Sequence, residues 1–140
     1  MLDLVIFDLD DTLARTAHRS HLLQDSLDAY ERASVYDTPN EAVAAVFYDH
    51  FTASRDMWIV TARSDVVLEE TEDWLFKNGV YYSRLLMRPA GDTRDEIDIK
   101  LRWLHDGTIP RERVLCAYDN NPSVIDMYQA EGITCFHVRS

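Results

Sequence analysis

The segment LDLVIFDLDDT, residues 2–12, joins a short apolar run to a cluster of aspartates. Leu2 to Phe7 is apolar and partly β-branched, which is typical of a buried parallel strand. Because side chains two residues apart on an extended chain point the same way, Asp8 and Asp10 are predicted to share one small site. Two carboxylates that close repel each other unless a cation or a shared proton lies between them, so the pair indicates a divalent metal, with Mg2+ the expected ion. The alternative is an acidic turn in an acidic protein.

Four further strand patterns alternate with helical patterns along the chain. This alternation predicts right-handed crossovers and an α/β fold, a three-layer α/β/α sandwich with a mostly parallel sheet. We expect one domain over residues 1–140, with a small flap and helical insertion at about 13–55 as a minimal cap. The predicted strands are 58–60, 84–87, 114–118 and 134–138, and the predicted helices are 20–34, 40–54, 65–77, 94–105 and 122–131.

Polar side chains follow the later strands, and ligands of such sheets bind at the carboxyl ends of the strands. Thr61 follows the second strand, Lys100 lies in the helix before the fourth, and Asp119 closes the fourth. Taken singly, each is better explained by a structural role: Thr61 as a helix cap, Lys100 as a solvated helix residue and Asp119 as a turn residue. Together with Asp8 and Asp10 they supply a nucleophile, a proton donor, a hydroxyl, a cation and a metal ligand, which is a set suited to phosphoryl transfer.

This pattern resembles the haloacid dehalogenase (HAD) superfamily of phosphatases, whose first motif is Asp-x-Asp-x-Thr and whose sheet is Rossmannoid. The resemblance implies that Asp8 is the nucleophile and that Asp10 is the general acid and later the general base. It also implies that the pKa of Asp10 lies above that of Asp8. Thr61 and Lys100 would hold the transferred phosphoryl group, and Asp119 would bind Mg2+ together with Asp8 and the backbone carbonyl of Asp10.

A closer resemblance is to the 3′-phosphatase domain of phage-type polynucleotide kinase-phosphatases. Thr61-Ala62-Arg63, the stretch GDTR at residues 91–94 and Arg19, eleven residues after Asp8, carry it. It implies that Arg19 and Arg63 bind substrate phosphate, and Thr12 is expected to take part in substrate binding. Guanidinium groups suit this role because they bind phosphate oxygens in pairs. The alternative for Arg19 is a solvated loop residue.

The chain departs from that pattern at its metal motif. Asn120 stands where a carboxylate is usual, and Asp11 stands where glycine is commoner. An amide still offers a carbonyl oxygen, so Asn120 is a candidate metal ligand with lowered affinity. Residues 1–140 contain no phosphate-binding loop of the Gly-x-x-x-x-Gly-Lys type, so we expect no kinase activity from this stretch.

The net charge of −11 opposes non-specific binding to nucleic acid. The aromatic residues of the insertion could stack a nucleobase or belong to helix cores. No apolar run reaches the roughly 18 residues of a membrane span, so we expect a cytoplasmic protein without a membrane partner. The concentrated arginines are expected to pair mostly with nearby acids. The arginines are Arg84, Arg88, Arg94, Arg111 and Arg113, and the aromatics are Tyr30, Tyr36, Phe47, Tyr48 and Phe51.

We therefore expect a Mg2+-dependent phosphomonoester hydrolase with an aspartyl-phosphate intermediate. Its expected substrate is a polynucleotide 3′-phosphate or a nucleotide. The small insertion predicts an open site, which permits a large substrate without requiring one, and the negative net charge keeps a nucleotide equally open. Two alternatives stay open at this point: a phosphatase of another small phosphomonoester, and a non-catalytic phosphate-binding or regulatory domain.

Overall fold

A computed structural model describes residues 1–139 of the chain. Its main sheet has five strands in the order β5-β4-β1-β6-β7, and every neighbouring pair is parallel. The strands are β1 (Leu4–Phe7), β4 (Asp56–Ser64), β5 (Arg84–Arg88), β6 (Val114–Asp119) and β7 (Cys135–His137), and a separate antiparallel pair is formed by β2 (Ala14–Arg15) and β3 (Thr38–Pro39). The predicted parallel α/β sheet is confirmed.

Helices cover both faces of the sheet because alternate side chains of each buried strand point to opposite sides. Val5 and Phe7 of β1 pack with the helices on one face, and Leu4 and Ile6 pack with those on the other. The first face carries α2 (Glu41–Thr52) and α3 (Leu68–Lys77), and the second carries α4 (Glu96–His105) and α5 (Pro122–Ala130). This is the three-layer sandwich.

The insertion is smaller than residues 13–55. Helix α2 contributes Phe47 to the core and belongs to a sandwich layer. The remaining part, residues 14–39, holds the β2–β3 pair, a 3-10 segment at Ala17–Gln24, the short helix α1 (Leu27–Arg32) and a 3-10 turn at Ala33–Tyr36. The predicted helix at 20–34 is thus divided between 3-10 structure and the six-residue helix α1, because this segment is fixed by polar contacts described below and not by an apolar face.

Strand β4 is longer than its sequence pattern indicates. It continues through Thr61 and Arg63 to Ser64, and its register against β5 shifts between Val60 and Ser64. A bulge of this kind redirects side chains at the end of a strand. Among the described residues, none of the helices combines the length and apolarity needed to cross a bilayer.

Candidate active site

Asp8 lies at the carboxyl end of β1 and is almost fully buried. Its backbone N–H donates to the Tyr118 carbonyl at 3.0 Å, which fixes it against β6. Its two carboxylate oxygens face different partners: Lys100 Nζ donates to Oδ1 at 3.1 Å, and the Thr12 hydroxyl donates to Oδ2 at 3.0 Å. Thr12, predicted to bind substrate, is therefore placed to orient the Asp8 carboxylate.

Lys100 is buried at the centre of an acidic triad. Its ammonium group donates to Asp119 Oδ2 at 2.8 Å and lies 3.5 Å from Glu96 Oε1, in addition to Asp8. Burial alone would lower the pKa of Lys100, but the nearby charges of Asp8 and Asp119 outweigh burial and raise it well above its ordinary value. The triad is thus already neutralised in part by a permanent cation.

The residues present fit a divalent cation on the other side of Asp8. The Asn120 carboxamide lies 3.1 Å from Asp8 Oδ2 and 3.2 Å from the Asp10 carbonyl oxygen when its nitrogen is turned toward them. Turning the amide over would bring its oxygen to the same place, so three hard oxygen ligands would converge. Asp119 is also close, because carboxylate oxygens of Asp8, Glu96 and Asp119 lie within 4.8 Å of one another. Like those of Asp8, its oxygens already accept hydrogen bonds, from the Asn121 N–H at 3.0 Å and from Lys100.

Asp10 is paired with two arginines from different parts of the chain. Arg19 NH2 donates to Asp10 Oδ1 at 2.8 Å, and Arg63 NH2 donates to the same oxygen. Both arginines are nearly fully buried, whereas a quarter of the Asp10 side chain is exposed. Arg19, despite its position in a loop-like sequence, is therefore a buried site residue and not a solvated one.

Asp37 is the second carboxylate of this cluster, and sequence reasoning missed it. Arg19 donates to it twice, from Nε and NH2, both at 2.9 Å, and Arg63 NH2 lies 3.4 Å from its Oδ2. The Trp74 indole donates to the Asp37 carbonyl at 2.8 Å, which ties the insertion to α3. Within the sequence, Asp37 precedes Thr38 and Pro39 and is typical of a turn, so no local signal marks it.

The two motif aspartates have the opposite order of pKa from that expected. Burial raises the pKa of Asp8 well above its ordinary value, and the Lys100 charge only partly opposes this. Burial also acts on Asp10, but the Arg63 and Arg19 guanidiniums outweigh it and lower the pKa of Asp10. Burial thus favours the protonated form of the Asp8 carboxyl, whereas the two guanidiniums favour the ionised form of Asp10.

A cavity of about 430 Å³ opens above these groups. The structure brings four predicted residues together in its lining, namely Asp8, Asp10, Thr61 and Arg63. Glu31 of α1 also lines it, and its carboxylate accepts from the Ser64 N–H at 2.9 Å. Burial raises the pKa of Glu31. Sequence reasoning missed this residue as well.

The concentrated arginines are largely used within the fold. Arg94 pairs with Asp92 as expected, and Arg88 donates to the Ala62 and Asp92 carbonyls. Arg113 binds Asp3 and Asp56, Arg111 binds Glu131, and Arg84 lies over the Trp58 ring. Only Arg88 and Arg94 of this group line the cavity.

The chain matches a family model along nearly its whole length. The model of the polynucleotide kinase PNKP phosphatase domain matches residues 2–140. A protein of Autographa californica nuclear polyhedrosis virus, described as a bifunctional polynucleotide kinase/RNA ligase, is 25% identical over 126 residues, which are 89% of this chain and 17% of the viral protein.

Solved structures are also similar to this chain. Two structures of the Pnkp1/Rnl/Hen1 complex, described in one case as an RNA repair complex, each contain a chain that is 28% identical, with TM-scores of 0.83 and 0.85. Each match covers 99% of this chain, but only 43% and 46%, respectively, of the chains in those two structures. CbbY from Rhodobacter sphaeroides, solved in complex with phosphate, shares the fold. It is 14% identical to this chain with a TM-score of 0.69, and the match covers 100% of this chain and 87% of CbbY.

Proposed function

Because this chain belongs to the polynucleotide kinase PNKP phosphatase domain family, and is a HAD-type phosphatase, we propose that it removes the 3′-phosphate from a polynucleotide end. The observation that carries the proposal is the pair of buried guanidiniums, Arg19 and Arg63, that meet on Asp10 beside Asp8. One relative is described as a polynucleotide kinase/RNA ligase, and another belongs to an RNA repair complex. Both descriptions support a nucleic-acid substrate.

A substrate phosphate would compete with Asp10 and Asp37 for these arginines. Arg63 Nε is buried and has no hydrogen-bond partner among residues 1–139, so a phosphate oxygen would satisfy it. Drawing the guanidiniums toward the phosphate would also release Asp10 and raise its pKa, because its ionised form would lose its partners. Substrate binding would thereby prepare Asp10 to donate a proton.

In the proposed reaction, a carboxylate oxygen of Asp8 attacks phosphorus while Asp10 donates a proton to the departing 3′-oxygen. The Asp8 oxygen–phosphorus bond forms as the phosphorus–3′-oxygen bond breaks. Asp10 then takes a proton from water, whose oxygen displaces Asp8 and releases inorganic phosphate. Thr61 and Lys100 would hold the transferred group throughout.

Mg2+ is part of this proposal. Asp8 Oδ2, the Asp10 carbonyl and the Asn120 amide oxygen would hold the ion, which would neutralise charge on the transferred phosphoryl group. Asp119, also predicted as a ligand, lies near Asp8 and would contribute to the same ion while holding Lys100. An amide in place of a carboxylate lowers the negative charge of the site, so we expect a weaker Mg2+ affinity than an acidic residue at position 120 would give.

The test is phosphate release with Mg2+ from a panel of substrates. The panel holds an aryl phosphate, 5′- and 3′-nucleoside monophosphates, and 3′- and 5′-phosphorylated oligonucleotides, with Asp8→Asn as the blank. The proposal expects the 3′-phosphorylated oligonucleotide to be hydrolysed best. Preference for a mononucleotide would instead assign the enzyme to nucleotide hydrolysis. The alternative of a non-catalytic phosphate-binding domain is less well supported, because this member of a phosphatase family keeps Asp8, Asp10 and Lys100. The cytoplasmic location stays a prediction.

A further inference from the structure

The insertion places an apolar wall on one side of the cavity. Leu27 and Tyr30 of α1 both line it, and Leu27 is 58% exposed. The Arg19 guanidinium lies 4.3 Å from the centroid of the Tyr30 ring, and Arg19 NH1 donates to the Tyr30 carbonyl at 3.1 Å. The same guanidinium binds Asp10, so Tyr30 is separated from the general acid by one side chain.

This position identifies the part of the substrate that would meet the wall. A general acid must contact the oxygen of the leaving group, and in the proposed reaction Asp10 protonates the 3′-oxygen of the terminal nucleoside. Tyr30 therefore lies on the leaving-group side of the site, where that nucleoside must be.

The charges of the cavity favour a contact with the base over contacts with backbone phosphates. Six of its lining residues are acids and three are arginines, of which Arg63 already binds Asp10 and Arg94 already binds Asp92. Affinity for the polynucleotide must then come largely from uncharged surfaces. Aromatic rings supply it, since any base can stack on them. The lining acids are Asp8, Asp10, Glu31, Asp92, Asp95 and Glu96.

The structure also separates the aromatic residues of segment 13–55. Phe47 is in the core, whereas Tyr48 and Phe51 contact one another and Phe51 contacts Tyr81, outside the cavity lining. Among the five aromatic residues considered from the sequence, Tyr30 alone lines the cavity.

We propose that Tyr30, supported by Leu27, is a binding subsite for the nucleobase of the 3′-terminal nucleotide. The inference rests on the proposed function and adds to it the part of the substrate that is recognised. It makes the enzyme prefer an end that carries a base over an end whose terminal sugar is abasic.

The test compares two 3′-phosphorylated oligonucleotides that differ only in the terminal base, one carrying it and the other ending in a stable abasic sugar analogue. The wild type is expected to have a kcat/KM roughly 5- to 150-fold higher for the base-bearing end. In Tyr30→Ala this ratio should fall to about one, because the abasic substrate has no base contact to lose. Tyr30→Phe keeps the ring and should restore the preference.

A matched control is Tyr36→Ala in the same insertion, since Tyr36 is 77% exposed and does not line the cavity. Its base preference should equal that of the wild type. An equal loss on both substrates in Tyr30→Ala, with the ratio unchanged, would overturn the proposal, because Tyr30 would then act only by holding Arg19. Failure of the proposed function is distinct: the wild type would release phosphate from neither oligonucleotide while hydrolysing another member of the panel, and both proposals would fall.

Discussion

Asp37 holds Arg19 and Arg63 in place before any substrate arrives. Its carboxylate is fully buried, and it binds Arg19 through both oxygens. Removing one partner from a buried ion pair leaves the other charge poorly compensated, and Arg19 and Arg63 would keep only Asp10 as a carboxylate partner. The arginines would then be less well fixed for binding phosphate.

We expect Asp37→Asn to lower the free energy of unfolding by about 3 kcal/mol and kcat/KM by about 10- to 100-fold. Denaturant unfolding and steady-state kinetics measure the two effects. Asp28→Asn is the matched control, since Asp28 forms an exposed pair with Arg32 in the same insertion and should change neither quantity noticeably. Wild-type activity and stability in Asp37→Asn would contradict this role.

Asp8 is expected to destabilise the metal-free protein at neutral pH. Because its folded-state pKa is raised above the ordinary 3.8, its contribution to stability is present below 3.8 and is lost as pH rises through the folded pKa. Asp8→Asn removes this charge, while Lys100 retains its ion pairs with Asp119 and Glu96. Without Mg2+, the variant should therefore melt at a higher temperature than the wild type at pH 8.

The difference in melting temperature should narrow as pH falls toward 4, and Mg2+ should stabilise the wild type more than the variant. Thermal unfolding at several pH values with and without Mg2+ measures both. A variant that melts at a lower temperature than the wild type at pH 8 without metal would contradict this prediction. It would show that the surrounding residues fully stabilise the buried Asp8 charge.

The turn between β1 and β2 depends on the left-handed backbone conformation of one residue, Asp11. Asp11 has a φ of 59°, and the Thr16 hydroxyl donates to its Oδ1 at 2.6 Å. The left-handed conformation explains why glycine is commoner at this position, and the Thr16 contact explains how an aspartate is tolerated.

Two substitutions separate these effects. Asp11→Gly and Asp11→Ala both lose the Thr16 contact, but only alanine keeps the steric cost of a positive φ. We expect Asp11→Ala to be less stable than Asp11→Gly by about 1 kcal/mol in denaturant unfolding. Equal stability of the two variants would mean that the backbone at this turn relaxes.

Elements of the sandwich were predictable because each has a periodic apolar pattern that matches its place on the sheet. The boundaries of α3, α4 and α5 agree with the patterns to within a few residues. The end of β4 was not predictable, since Thr61, Arg63 and Ser64 are polar and read as a loop. The insertion was predicted less well, because the contacts of Arg19 and Asp37, and not a helical apolar stripe, set its path.

At the scale of the whole molecule, the convergence of Asp8, Thr61 and Asp119 was predictable, because the carboxyl ends of parallel strands meet at one edge of a sheet. Asp37 and Glu31 were not, because they reach the site only when the insertion folds back over it. The net charge of −11 has a local counterpart, since acids outnumber arginines among the described residues that line the cavity.

This charge distribution predicts weak dependence of substrate affinity on salt and on oligonucleotide length. A protein that contacts 6–10 backbone phosphates loses roughly 10³- to 10⁵-fold in affinity between 50 and 200 mM salt. Here we expect KM for a 3′-phosphorylated oligonucleotide to change by only a few-fold over that range, and to be similar for 5 and 20 nucleotides. Steady-state kinetics checks this, and a steep loss with salt would reveal an extended phosphate-binding surface.

The most direct test of the central claim is to trap the phosphorylated enzyme. A 3′-end labelled with radioactive phosphate is mixed with enzyme and Mg2+, the reaction is stopped with acid, and the labelled residue is identified by peptide mapping. We expect the label on Asp8, a larger trapped fraction or very slow turnover in Asp10→Asn, and no label or turnover in Asp8→Asn. Near-wild-type phosphate release by Asp8→Asn, with no labelled protein at any time, would contradict the account.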